Sequence, residues 1–248
     1  MKMKIDLNCD MGESFGQYML GEDATVMPFI SSANIACGLH AGDPLVMQTT
    51  IRLAKRHDVA VGAHPGWPDL QGFGRRDMNL SPAETEAFVL YQIGALAAFA
   101  KVEGASLRHV KPHGALYNQA AKDPTLADAI ARAVKRFDKE LILVGLAGSA
   151  LVAAGMDAGL RVANEGFPDR RYNPDGKLVS RKNADAILEL PEEVAAHAVA
   201  LAREGIDFAD RRVHVETLCL HGDNVQAAQN AKLVREALSR NGIDIEAL

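Results

Sequence analysis

The sequence predicts an α/β protein in which about seven parallel strands close into a barrel, with a helix after most strands. Short apolar runs alternate with helix-like stretches along the 248 residues. Seven units in that length are about 35 residues each, which suits βαβ crossovers. An open doubly wound sheet is the other architecture that right-handed crossovers allow. Polar residues follow nearly every run, and a barrel brings all such positions to one cavity. We therefore expect one barrel domain over residues 1–248.

Seven apolar or β-branched runs are the predicted strands. Continuous apolar runs between helical stretches are typical of parallel strands that are buried on both faces. The runs cover residues 4–9, 29–37, 59–63, 106–111, 141–146, 161–164 and 213–220.

Helix starts are marked by capping residues next to proline. Asp is a good N-cap and Pro fits the first helical turn, and this pair occurs twice. A Ser-Pro-Ala-Glu capping box occurs once. The predicted helices begin at Pro44, Pro82, Pro124, Pro191 and about Asn224, the second ending near Lys101 and the last at Arg240, before Asn-Gly.

Composition limits the classes of function. The chain has 27 Lys and Arg against 32 Asp and Glu, for a net charge of -5, whereas nucleic acids and anionic membranes require a basic surface. We find no apolar run near the roughly 18 residues of a membrane span and no secretion signal. Cys9, Cys37 and Cys219 are far apart, which is typical of reduced thiols. We expect a cytoplasmic protein that binds neither nucleic acid nor membrane.

Familiar nucleotide and hydrolase motifs are absent from the sequence. It has no P-loop, no G-x-G-x-x-G after the first strand, no G-x-S-x-G elbow and no H-E-x-x-H. The chemistry therefore rests on His, Asp, Glu and Lys side chains. Such residues indicate acid–base catalysis or metal-assisted hydrolysis.

Four histidines follow predicted strands, each beside a glycine or proline. They are His40, His64, His113 and His221. A lone histidine after a strand is more often structural, but a barrel brings four equivalent positions together. We therefore expect this group to be functional. His109 is predicted to lie deeper in the barrel and is left outside the candidate site.

The first predicted strand carries three polar side chains on one face. Asp6, Asn8 and Asp10 alternate with apolar residues, so they share a face, and buried charges need partners. Asp10 is nearest the barrel mouth and is the predicted catalytic carboxylate. Asp6 is either a second functional group or a structural acid beneath the site, and the sequence leaves both open.

Charged residues after later strands complete the predicted rim. Lys111 ends the fourth strand, where we expect it to hold a carboxylate or phosphate; a lysine that reaches solvent is the alternative. Glu165 and Arg170 follow the sixth strand. The Gly-rich loop 72–76 is either a lid that presents an arginine to an anion or a plain surface loop.

Six sequence blocks taken together closely resemble the LamB/YcsF family, and they span essentially the whole chain. The blocks are KIDLNCDMGESFG, SSANIACGLHAGDP, VGAHPGWPDLQGFGRR, VKPHGALYN, NEGFPDRRYNPDGKLVSR and CLHGDN. Members of that family are described as the A subunit of bacterial ATP-dependent 5-oxoprolinase. The resemblance implies an irregular seven-stranded barrel, similar to the glycoside hydrolase/deacetylase barrels. It also implies cleavage of 5-oxoproline to L-glutamate coupled to ATP hydrolysis.

The implied reaction gives the candidate residues roles. ATP is expected as co-substrate, handled with partner subunits B and C because the chain has no P-loop. Lys111 would hold the substrate anion, Asp10 or Glu165 would act on water, and a histidine would protonate the leaving nitrogen. The predicted catalytic set is Asp10, His64, His113, Glu165 and His221, and the predicted substrate-binding set is Asn8, Glu13, Asn34, His40, Lys111 and Arg170.

Two other functions stay open at this point. One is a deacetylase-like amide hydrolase in which Asp10, His40 and His64 hold a divalent metal. The other is a non-catalytic protein that binds the lactam and presents it to its partners. Self-association of the chain is also left open.

Overall fold

The structure is a computed structural model that describes residues 2–173, 175–179, 183, 185–188, 190–220 and 227–248. Its strands are β1 (Met3–Met11), β2 (Ser32–Ala36), β3 (Ala60–His64), β4 (Leu107–Val110), β5 (Ile142–Leu146), β6 (Arg161–Gly166), β7 (Ile206–Asp207), β8 (Arg212–Val213), β9 (Thr217–Leu220) and β10 (Ile243–Ile245). Its helices are α1 (Asp23–Val26), α2 (Pro44–Arg56), α3 (Pro82–Val102), α4 (Gly114–Ala120), α5 (Pro124–Phe137), α6 (Ala150–Asp157), α7 (Pro191–Glu204) and α8 (Ala227–Arg240).

Seven parallel strands form a closed barrel, which confirms the predicted fold class. The strand order is β1-β2-β3-β4-β5-β6-β9, and β9 also pairs with β1. The first six strands coincide with six predicted runs. The seventh run, residues 213–220, is divided between β8, which pairs with β7, and the barrel strand β9. The short β10 pairs with the beginning of β1.

The predicted helix starts are confirmed where the structure describes them. The carboxylate of Asp43 accepts hydrogen bonds from two backbone N–H groups of α2, and Asp123 does the same at α5. Ser81 and Glu84 form the capping box of α3. Asn224, the predicted start of the last helix, lies outside the described residues, and α8 ends at Arg240 as expected. Local capping chemistry was thus sufficient to find these elements.

Helix α3 departs from the expectation about membranes. By length and composition it is the one helix of the described chain that could cross a bilayer. Sequence reasoning missed it because charged and polar residues interrupt its apolar segment. Val89, Ile93 and Leu96 are fully buried, and the helix packs against β3, α2 and α5. In this fold α3 is therefore part of the layer around the barrel.

The two faces of β1 separate the apolar core from the polar interior of the barrel. Ile5, Leu7 and Cys9 belong to the main apolar core, which continues into the surrounding helices. Asp6 and Asn8, on the other face, are buried and bonded to polar side chains of neighbouring strands. The predicted alternation is therefore confirmed, and it places hydrogen-bonding groups along the barrel axis.

Candidate active site

A cavity of about 250 Å³ opens at the carboxyl ends of the barrel strands. Candidate and neighbouring residues that line it are Asp10, His64, Arg75, Lys111, His113, Tyr117, Phe167 and Arg170. They come from β1, β3, the 72–76 loop, α4 and the segments directly after β4 and β6. The barrel thus brings together residues that are more than 150 positions apart in sequence.

Asp6 lies below the cavity in a layer of neutral hydroxyl groups. Its Oδ1 accepts hydrogen bonds from the Ser31 and Ser32 hydroxyls, both at 2.7 Å, and its Oδ2 accepts one from Thr217 at 2.5 Å. Burial raises the pKa of Asp6, and the three hydroxyls oppose that rise. Because all three partners are hydroxyl donors next to the barrel strands, these contacts favour the interpretation of Asp6 as a structural acid.

Asn8 and Asn34 form the next layer of the barrel interior. The amide of Asn34 donates to Asn8 Oδ1 at 2.7 Å and to Asp10 Oδ1 at 3.0 Å. Its own Oδ1 lies 2.7 Å from Nε2 of His109. A Cβ atom at Gly62 would lie 2.0 Å from that nitrogen, so only glycine leaves room for the His109 ring. His109 is deep in the barrel, as expected.

Lys111 is a buried cation surrounded by acceptors. Its Nζ lies 2.8 Å from Glu165 Oε1, 3.1 Å from Asp10 Oδ1, 3.2 Å from Asn8 Oδ1 and 3.0 Å from Cys219 Sγ. Burial lowers the pKa of Lys111, but Asp10, Cys219 and Glu165 outweigh that effect and raise it well above the usual value. The side chain is 4% exposed. The alternative of a lysine that reaches solvent is therefore wrong.

Glu165 is fully buried behind Lys111. The Tyr117 hydroxyl donates to its Oε2 at 2.6 Å, and the Asn8 amide donates to Oε1 at 3.0 Å. Sequence reasoning missed Tyr117 and Cys219 as members of this network. Tyr117 is four residues after His113, one turn along a helix, and that spacing was a usable signal. Cys219 had none, because its partner is on the far side of the barrel.

Asp10 connects the buried network to the cavity. Its Oδ1 contacts Lys111 and Asn34, and its Oδ2 lies 3.3 Å from His64 Nε2. Burial disfavours ionisation of Asp10, but His64 and Lys111 outweigh it and hold the pKa well below its usual range. The side chain is 19% exposed. Asp10 is therefore a carboxylate that a molecule in the cavity can reach.

Three of the four predicted histidines converge beside Asp10. The rings of His40 and His113 stack at 3.8 Å, and His64 meets both edge-on. With Glu13 they form a group that could hold a metal ion, since one ligand atom from each lies within 4.8 Å of the others. The predicted metal trio is therefore regrouped: His40 and His64 are joined by Glu13 and His113 instead of Asp10. His221 lies outside the described residues.

The Gly-rich loop covers the histidine group. Gly74 has a φ of +63°, and a Cβ atom there would lie 2.7 Å from His40 and 2.8 Å from His113. Arg76 pairs with the buried Asp69, which anchors the loop, whereas Arg75 lines the cavity with its guanidinium 5.0 Å above the Phe73 ring. The loop therefore forms one wall of the site and is more than a surface connection.

Arg170 is a buried part of the cavity wall. Its guanidinium donates to the backbone carbonyls of Val179 and Ala186, at 2.7 and 3.4 Å. These bonds hold the chain after β6 against the cavity. Arg170 was predicted to bind substrate, and that role stays a prediction; the contacts observed here are structural.

Comparisons with known proteins show the family to which the chain belongs. A model of the LamB/YcsF family matches residues 5–248. The chain belongs to the LamB/YcsF family. The resemblance seen in the sequence is thereby confirmed.

Individual members of the LamB/YcsF family are similar over their whole length. The chain is 52% identical to the A subunit of 5-oxoprolinase from Pyrococcus furiosus over 247 residues, 98% of this chain and 97% of that protein. It superimposes on the lactam utilization protein of Thermus thermophilus with a TM-score of 0.93 and 49% identity, covering 99% and 100% of the two chains.

A more distant structure shows the barrel outside the family. The polysaccharide deacetylase of Bacillus cereus matches with a TM-score of 0.53 and 11% identity, covering 100% of this chain and 92% of that one. At this identity the similarity is one of fold alone. It confirms the expected similarity of fold to deacetylase-type barrels.

Proposed function

We propose that this chain is the A subunit of an ATP-dependent 5-oxoprolinase and opens the lactam ring of 5-oxoproline to give L-glutamate. The names of the P. furiosus and T. thermophilus relatives support it. The observation that carries it is the position of Asp10, a carboxylate facing the cavity between His64 and Lys111. A cavity of about 250 Å³ suits a molecule as small as a five-membered lactam.

Asp10 is the base in this proposal. It accepts a proton from water as the water oxygen bonds to the ring carbonyl carbon, and the C–N bond then breaks. Glu165 was the other candidate, but it is fully buried and held by Tyr117, Lys111 and Asn8. Its geometry favours a second role, in which it shares the Lys111 charge and keeps that cation in place.

The leaving nitrogen takes a proton from a histidine. Burial lowers the pKa of His113 to about 3, so this ring is neutral near pH 7 and is a weak acid. His64, 3.3 Å from Asp10, can relay the proton that Asp10 receives. His221 keeps its predicted catalytic role as the alternative donor.

Cationic groups of the cavity wall hold the substrate anion. Lys111, Arg75 and Arg170 all line the cavity. Four acceptors lie within 3.2 Å of Lys111 Nζ, so its first role is to keep Asp10 ionised and oriented. Arg75, an exposed residue that also lines the cavity, is the residue to which we assign contact with the carboxylate of the lactam.

ATP enters the proposal through the chemistry of the ring. A lactam is a stabilised amide, and phosphorylation of its oxygen by ATP, with loss of the N–H proton, makes the ring carbon easier to attack. Addition of water and cleavage of the C–N bond then leave an acyl phosphate and a free amine, and a second water releases inorganic phosphate to give glutamate. The sequence has no P-loop. We therefore assign the phosphorylation to partner subunits B and C in the cytoplasm, and hydrolysis of the activated ring to this chain.

The histidine group supports a second candidate, a metal-assisted amide hydrolase. Glu13, His40, His64 and His113 have the nitrogen and oxygen donors that a divalent transition metal prefers. Such an ion would polarise the carbonyl and lower the pKa of a bound water. Asp10 would keep its role as proton acceptor beside that group.

The test is reconstitution with the two partner subunits. The three proteins together should form glutamate from 5-oxoproline in an ATP-dependent manner, and omission of this chain should abolish glutamate while ATP-dependent activation of the lactam continues. Glutamate formation by the partners alone would contradict the proposal. Activity that survives an Asp10→Ala substitution, together with unchanged lactam binding, would instead indicate a protein that binds the lactam without a catalytic role.

A further inference from the structure

Two histidine rings in the site are fixed so that their lone pairs face each other. His64 Nδ1 lies 2.7 Å from the backbone carbonyl of Lys111, and His113 Nε2 lies 2.8 Å from that of Phe73. A carbonyl oxygen only accepts, so both of these nitrogens carry hydrogen. In neutral rings the other nitrogens, His64 Nε2 and His113 Nδ1, are then both acceptors. They are 3.0 Å apart.

Two acceptors at this separation require a cation between or beside them. Asp10 Oδ2, at 3.3 Å from His64 Nε2, adds a further acceptor to the same point. A single shared proton would relieve the histidine pair. It would leave the rest of the group unexplained.

His40 is the independent observation. Its ring is buried, and neither of its nitrogens has a hydrogen-bond partner among the described residues. Its Nε2 lies 3.6 Å from Glu13 Oε1, which is also 3.6 Å from His113 Nδ1. A buried imidazole without hydrogen bonds costs free energy unless something else occupies its lone pair.

Three of the six separations among the four donor atoms are close to those of a metal coordination shell, and all six are within 4.8 Å. Zn–N bonds of about 2.0–2.1 Å give a tetrahedron with edges of roughly 3.3–3.4 Å. The separations of 3.0, 3.6 and 3.6 Å bracket that length. The carbonyls that hold His64 and His113 are the outer partners that metal-binding histidines usually have. Burial also lowers the pKa of His40, which keeps that ring neutral and available as a ligand.

We infer that Glu13, His40, His64 and His113 bind one divalent transition-metal ion, with Zn²⁺ the best match to three imidazoles and a carboxylate. The inference concerns binding and does not depend on the lactam reaction. Asp10 adjoins this shell and is outside it.

The experiment uses the full chain and Zn²⁺ alone. Protein stripped with a chelator is dialysed against Zn²⁺ at about pH 7, where neutral imidazoles are available as ligands, and bound zinc is measured by plasma mass spectrometry. One ion per chain is expected, with a raised melting temperature. Substitution by Co²⁺ should give the visible absorption of a tetrahedral nitrogen and oxygen site. Absence of stoichiometric zinc, or of any effect on melting, would overturn the inference and leave the shared proton.

Variants locate the ion. Glu13→Gln and His40→Ala should each weaken zinc binding by more than the roughly 10- to 100-fold that loss of an outer partner costs. His57→Gln, which changes an exposed histidine at the end of α2, should bind as the parent protein does. Glu13→Gln keeps the size and shape of the side chain, so this variant is less prone to misfold than His40→Ala. Zinc binding unchanged in both ligand variants would place the ion elsewhere and contradict the assignment.

Discussion

Asp6 and Asp10 point from the same face of β1 into the same barrel, yet their surroundings are opposite. Asp6 is bonded to three neutral hydroxyls and its pKa is raised by burial. Asp10 faces Lys111 and His64, and its pKa is held well below the usual range although burial opposes this. The comparison teaches that strand position fixes which way a carboxylate points, while the residues on neighbouring strands decide whether its pKa is raised or lowered.

The strongest test of this difference is activity. Asp10→Asn removes the base while keeping the shape of the side chain, so we expect glutamate formation in the reconstituted system to fall about 10²–10⁴-fold. Asp6→Asn is the matched control and should retain nearly all activity in protein of normal fold. Equal losses in the two variants, measured as glutamate per active chain, would break the comparison.

Removal of the Lys111 cation should lower the stability of the protein, because Asp10 and Glu165 share this partner. Lys111→Met leaves Asp10 and Glu165 buried beside each other without their shared partner. We expect the free energy of unfolding to fall by about 3–5 kcal/mol in urea melts. Lys4→Met breaks an exposed ion pair with Glu246 and should change stability little. Similar melts for the two variants would show that the buried network is not a source of stability.

The sequence could predict where a side chain lies in the fold better than which side chains it contacts. Capping residues and apolar runs are local signals, and they predicted the starts of helices α2, α3, α5 and α7, a run at each of the seven barrel strands, and the inward face of β1; the short helices α1, α4 and α6 were not predicted. Lys111 was predicted to hold the substrate, but its neighbours Asp10, Glu165 and Cys219 come from three other strands or strand ends. Such contacts depend on the register of the closed barrel, which no local pattern contains. For the same reason the metal trio was predicted without Glu13 and His113.

Loss of the Asp6 carboxylate should destabilise the layer of hydroxyl groups that donate to it. Asp6→Ala leaves the hydroxyls of Ser31, Ser32 and Thr217 without the carboxylate to which they donate. A buried donor that loses its partner costs about 1–3 kcal/mol, and we expect a loss of that size in the free energy of unfolding. An effect on activity larger than the loss of folded protein would mean that Asp6 also serves the reaction.

The contributions of Asp6 and Asp10 to stability should depend on pH with opposite signs, because folding raises the pKa of Asp6 and lowers that of Asp10. Because folding raises the pKa of Asp6, its contribution to stability is complete below its unfolded pKa of about 3.9 and is lost as pH rises through the folded pKa. The stability of the parent protein relative to Asp6→Asn should therefore decrease as pH rises from about 4 toward neutrality. Urea melts at several pH values test this, and a difference that grows with pH would contradict it.

The smallest expected effect is the coupling between the two carboxylates. Four residues of strand separate their Cα atoms by about 13 Å, and the hydrogen-bond partners of Asp6 are different from those of Asp10. In a double-mutant cycle, Asp6→Ala and Asp10→Asn should add within about 0.3–0.5 kcal/mol.

Asp6→Ala with Thr217→Val is the positive control, because these side chains are bonded directly and should couple by about 0.5 kcal/mol or more. Thr217 also accepts from the Asn8 amide at 2.6 Å, and Asn8 contacts Lys111. If the Asp6 and Asp10 cycle couples as strongly as the control, this path through Thr217 and Asn8 joins the two layers into one network. The distinction between a structural and a reactive acid would then be a matter of degree along the barrel axis.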